Sequence, residues 1–117
     1  MIVRFACRYQ TDADARGRLP VRVGVAFQFN ESLSARDHDP LAAFEDELEA
    51  GARLQLGAAL TIVITTPTFR EFVLHAPSAE RIADFHADLR AKHPTMDVQM
   101  YAAEDPDWDV YLGLTGA

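Results

Sequence analysis

At 117 residues, with 49% apolar and 25% charged side chains, the chain has the make-up of one ordinary domain, residues 1–117, long enough to bury a core unaided by disulfides or metals. Its net charge of −7 argues against nucleic acid, which rewards clustered cations, and its single cysteine allows no internal bridge, which points to a reducing, cytoplasmic setting. No apolar run approaches the roughly 18 residues of a membrane-crossing helix, and the alternating start Ile2-Val3-Arg4-Phe5 is not a signal peptide, so no membrane partner is expected.

In chain order, residues 2–10 alternate, with Val3, Phe5, Cys7 and Tyr9 against Arg4, Ala6 and Arg8. This period of two predicts a half-buried strand with Cys7 as an inert inward thiol. The polar stretch 11–18 reads as a loop. A longer strand follows, Val21, Val23, Val25, Phe27 and Phe29 facing one way and Arg22, Gly24, Ala26 and Gln28 the other. Polar residues 30–39 form a loop, and Asp39-Pro40 then predicts a helix start: an acceptor for free N–H groups, then a residue suited to the first turn. Leu41, Phe44, Leu48 and Ala52 make that helix's apolar stripe, and Gly57 is its stop.

Leu60, Ile62 and Ile64 alternate with Thr61, Val63 and Thr65, and after Thr66-Pro67-Thr68 the alternation resumes to His75, predicting a hairpin. A second helix starts at Pro77-Ser78, buries Ile82, Phe85 and Leu89, and ends at Pro94. Residues 96–103 read as a last strand with Val98 and Met100 inward. Asp105-Pro106 then opens a short helical tail bearing Trp108, Tyr111 and Leu112.

The resulting order predicts an α+β fold, a ferredoxin-like βαββαβ sandwich with an extra N-terminal strand and a short C-terminal helix. Both helices then cover one sheet face, over a core of Val23, Val25, Phe27, Phe44, Leu48, Ile62, Ile64, Phe72, Leu74, Ile82, Phe85 and Leu89. The opposite face carries Arg22, Gly24, Ala26, Gln28, Thr61, Val63, Thr65, Glu71, Val73 and Tyr101, a mixture that suits a second copy or a ligand.

No catalytic, cofactor-binding or metal-binding residue is assigned. There is no Gly-x-Ser-x-Gly elbow, Cys7 has no histidine nearby in sequence, and the glycines are isolated rather than grouped into a phosphate loop. His86 and His93 are two helical turns apart, about 10 Å, too far for one zinc. His75 ends a strand, and Asp37-His38-Asp39 reads as capping rather than ligation. The acidic run 104–109 suggests a calcium loop but has Val110 and Gly116 where such a loop needs Gly and Glu. Trp108 is expected to anchor the tail, with Tyr111 beside it.

Three segments carry a family likeness: Phe44-Glu45-Asp46-Glu47-Leu48, the hairpin from Thr65 to Phe72, and the ending Glu104-Asp105-Pro106-Asp107-Trp108-Asp109-Val110-Tyr111. Through them residues 21–112 resemble the bacterial domain of unknown function six-nine-five family, a fold relative of regulator of ribonuclease E activity B. The resemblance implies a ferredoxin-like sandwich and supplies no catalytic residues to carry over. At the hairpin turn, Pro67 and Thr68 stand where that family often has Gly.

Charge is also segregated. Residues 1–22 hold five arginines against two aspartates, net +3, and the remainder holds six basic against sixteen acidic residues, net −10. Together these features suggest a non-catalytic binding or regulatory domain acting through protein–protein contact, with another protein or as a homodimer built on the open face or the first strand's edge. The candidate interaction residues are Arg22, Val63, Glu71, Val73, Tyr101 and Trp108. The alternative is a small-molecule binder or enzyme using the open sheet face, with Arg4, Arg22, Arg70 or Tyr101 holding an anionic ligand.

Overall fold

A computed structural model describes residues 2–28, 38–94 and 96–115. Its elements are β1 (Ile2–Phe5), a 3-10 turn (Cys7–Tyr9), α1 (Ala13–Gly17), β2 (Val21–Gln28), α2 (His38–Leu56), β3 (Ala59–Thr65), β4 (Phe69–Ala76), α3 (Ile82–Lys92), β5 (Val98–Glu104) and α4 (Asp109–Thr115). The strands form one antiparallel sheet in the order β1-β3-β4-β2-β5. The run β2-α2-β3-β4-α3-β5 is the ferredoxin-like plan, and β1 extends the sheet beside β3.

The apolar stripes place both long helices on one face. Phe44, Leu48 and Ala52 of α2 and Ile82, Phe85 and Leu89 of α3 share a buried cluster with Val23, Val25, Phe27, Phe72 and Leu74. Phe27, Phe44 and Phe72 pack with ring centroids 5.3–5.9 Å apart. Gly57, at φ +63°, reverses the chain after α2, a left-handed conformation that a side chain would strain. At the β3–β4 turn, the Thr66 hydroxyl accepts from the N–H groups of Thr68 and Phe69.

Three local readings near the N-terminus are corrected. The first strand ends at Phe5, not residue 10: the Ala6 N–H makes the last bond to the Thr61 carbonyl, and the chain then winds into the 3-10 turn. Cys7 is therefore exposed, not buried. The stretch 11–18 contains a helical turn, α1, whose Ala15 N–H is capped by the Asp12 carboxylate at 3.0 Å. The stretch Asp37-His38-Asp39 and the start of α2 lie outside the residues whose side chains are described.

The largest correction concerns β3. Its pairing with β4 shifts register between Leu60 and Ile62, with Thr61 as the extra residue. Leu60 and Val63 consequently pack with the helix-side core, whereas Ile62 and Ile64 belong to a second cluster on the opposite face. Ile62 and Ile64 thus leave the single expected core, and Val63 leaves the open face, because one inserted residue exchanges the two sides of everything after it.

Candidate functional site

The second sheet face is half covered. The N-terminal segment and α4 close over its β1-β3-β4 side, where Tyr9, Ala15, Ile62, Val73, Trp108 and Tyr111 form a buried cluster. Trp108 is its centre. It is fully buried, donates its indole N–H to the Leu19 carbonyl at 2.9 Å, and meets Tyr9 and Tyr111 at centroid distances of 5.5 and 5.2 Å. The Tyr111 hydroxyl donates to the Ala6 carbonyl and so ties α4 to the chain after β1. Trp108 takes a φ of 54°, a left-handed conformation uncommon for a bulky residue.

Beneath the Trp108 ring lies a buried polar chain that the sequence reading missed. His75 is fully buried and stacks on the indole, with centroids 3.8 Å apart and planes at 19°. Its Nε2 is 3.1 Å from Asp105 Oδ2, and its Nδ1 is 2.8 Å from the Thr61 hydroxyl. Thr61, the bulged residue, is equally buried and also reaches the Val73 carbonyl at 3.1 Å. Burial lowers the His75 pKa, the bond to and charge of Asp105 oppose that shift, and the Arg22 charge adds to it. With the imidazole neutral, Nε2 donates to Asp105, and Nδ1 competes with the Val73 carbonyl for the single Thr61 hydroxyl proton. Asp105 ties the parts together: Oδ1 accepts the Asp109 N–H at the head of α4, and its own N–H bonds the Pro20 carbonyl at 2.7 Å. A Thr, His and Asp in a row resembles a nucleophile–base–orienter set, yet Thr61 and His75 are sealed from solvent and serve packing. No local signal marks this chain, since His75 and Asp105 are 30 residues apart.

Among the described residues the β2-β5 side of the same face is left open, and here three candidate residues converge. Arg22 reaches from β2 to within 3.5 Å of Asp105, and its Nε has no partner among the described residues. Tyr101 on β5 leans over Gly24 of β2, so closely that a Cβ at position 24 would stand 2.0 Å from the ring. Glu71 on β4 lies beside the Tyr101 phenol, and Arg22 faces both. Burial pushes the Glu71 carboxyl above its usual range, against the pull of Tyr101 and Arg22. It also pushes the Tyr101 phenol up, reinforced by the Glu71 charge. The ring is nonetheless 42% exposed, so the arrangement is an aromatic plate held from below and from both sides.

The other candidates fall elsewhere. Val63 is buried under α2, and Val73 and Trp108 are buried in the second cluster, so none of the three presents a surface. The residues suggested for an anionic ligand divide between the faces. Arg4 pairs with Glu45 of α2, and Arg70 bonds the Thr65 hydroxyl at 3.0 Å on the helix side, away from Arg22 and Tyr101. His86 contacts the Val98 carbonyl at 2.8 Å and His93 contacts Glu47 at 3.0 Å. Among the described residues no three His, Cys, Asp or Glu side chains gather as a metal set, and no helix is long and apolar enough to cross a membrane.

One family model, described as a family of unknown function (DUF695), matches residues 3–114. No curated protein and no solved structure matches the chain.

Proposed function

The chain belongs to the family of unknown function DUF695, a membership that assigns it no chemistry, and we propose from its geometry that it is a binding module acting through protein–protein contact at the open half of the second sheet face. The observation that carries this reading is Tyr101, exposed yet seated directly on Gly24, with Glu71 and Arg22 beside it. Tyr and Arg dominate the energetics of protein interfaces, because they give a large amphipathic contact at low conformational cost. An aromatic already immobilised loses less entropy on binding. The exposed Cys7 thiol fits a reducing, cytoplasmic setting, which we include in the proposal with the bacterial origin that the resemblance implies. The suggested kinship with regulator of ribonuclease E activity B carries no weight in it.

The test is capture of partners from the native cell by immobilised wild-type chain, followed by affinity measurement. Gly24→Ala forces the Tyr101 ring off its seat without truncating it, and Tyr101→Ala removes it. Each is expected to weaken capture by about thirty-fold, a loss of about 2 kcal/mol typical of an interface hot spot. Leu54→Ser, on the exposed outer side of α2, is expected to leave capture unchanged. Undiminished capture by both face variants defeats the proposal.

A further inference from the structure

The sheet has two edges, and they differ. β1 is four residues long and carries Arg4, both features that discourage pairing with another strand. β5 is seven residues long, has no charge before Glu104, no proline, and an unbroken register with β2. Which main-chain groups face outward follows from one bond. The Asp105 N–H bonds the Pro20 carbonyl, in register with the β2–β5 ladder, so the odd-numbered residues of β5 bond inward and Val98, Met100, Ala102 and Glu104 point to the open edge. The Val98 carbonyl is taken by His86, and the groups of Met100, Ala102 and Glu104 have no bonding partner among the described residues.

We propose that this edge pairs with the same edge of a second copy, β5 against β5 in antiparallel register about a two-fold axis through Tyr101, joining the two sheets into one. With Tyr101 on the axis, Met100 exchanges main-chain bonds with the partner's Ala102, and Val98 stands opposite the partner's Glu104. Opposed residues then share a face, so both helix layers stay on one side. The Tyr101 ring leans inward over Gly24 and leaves the axis clear. Charge favours the same register. Val98 shares a groove with Arg90 of α3, which brings the partner's Glu104 toward a cation on the helix side. Asp97, the acid of that groove, is held by the Gln99 amide at 2.7 Å. The inference does not depend on the binding role of the second face: a monomer that still captures a partner through Tyr101 overturns the pairing alone.

Light scattering of the full chain at several concentrations is expected to show a mass rising from 13.0 kDa toward twice that value. Ala102→Pro removes an outward N–H and leaves the bonds to β2, so the mass should stay at the monomer value while the far-ultraviolet spectrum is unchanged. Glu104→Arg should weaken association, and adding Arg90→Glu should restore it. A second measurement is independent of Ala102→Pro folding. In a Cys7→Ser background, Tyr101→Cys places two thiols across the axis at a Cα separation of about 4.5 Å, within disulfide reach, and oxidation should give a covalent dimer. Gln99→Cys places them about 14 Å apart and should give none. A monomer at every concentration overturns the pairing. So does a dimer that survives Ala102→Pro, cross-links equally through both cysteines, or forms only with a different protein.

Discussion

Replacing Trp108 tests the argument that both ends of the chain are pinned to the second sheet face by one residue. Trp108→Ala deletes a fully buried side chain, for which about 3–5 kcal/mol is the usual cost. The upper part of that range applies here. The Leu19 carbonyl loses its donor, worth about 1 kcal/mol more, and the stacked face of His75 is uncovered. Against a total stability of about 5–15 kcal/mol, a loss near 4–5 kcal/mol is large. The backbone adds a second, sharper expectation. Position 108 sits at φ 54°, where an alanine carries a penalty of about 1 kcal/mol and glycine carries none. Trp108→Gly should therefore be as stable as Trp108→Ala or better by up to about 1 kcal/mol, the reverse of the usual order. The assay is urea unfolding followed by far-ultraviolet circular dichroism, because Trp108 is the chain's only tryptophan and its removal abolishes the tryptophan fluorescence. A loss below about 1 kcal/mol in Trp108→Ala, or a glycine variant clearly weaker than the alanine one, refutes the reasoning.

Two further outcomes follow from the buried polar chain. His75 has its pKa lowered below the ordinary 6.5, so the unfolded chain takes up its proton first as the medium acidifies. Stability should be unaffected by this group above pH 6.5 and should fall as pH drops from 6.5 toward the lower folded value. His75→Gln keeps a donor for Asp105 and should flatten that dependence; Glu71, whose raised carboxyl acts in the opposite sense, is common to both chains and cancels in the difference. A difference between the two chains that is constant with pH contradicts this. Thr61→Val preserves shape but leaves the His75 Nδ1 unpaired in the interior, and chemical unfolding should show a loss of about 1–3 kcal/mol, whereas an unchanged midpoint disproves the bond.

The elements were legible in the sequence because their signals are local. The stripes Phe44-Leu48-Ala52 and Ile82-Phe85-Leu89 and the alternation of Val23-Val25-Phe27 each sit within a few turns or residues of one element, and the structure buries all of them in the helix-side core. Gly57 as a helix stop and Thr66-Pro67-Thr68 as a turn are local in the same way. Together with element order they determined the ferredoxin-like plan and the side on which the helices lie. The tertiary structure decided which residues face which way around Thr61, since a bulge is a property of the pairing of β3 with β4 and leaves the alternating pattern of β3 itself unaltered. It also decided the fate of the second face. His75 meets Asp105 across 30 residues, and Trp108 meets the Leu19 carbonyl across 89. Tyr101 rests on Gly24 because the neighbouring strand has no side chain at that one position. Such contacts join positions that no periodicity relates: strand pairing sets the register, the register selects the face, and the long-range packing that results closes half of that face and leaves the other half open.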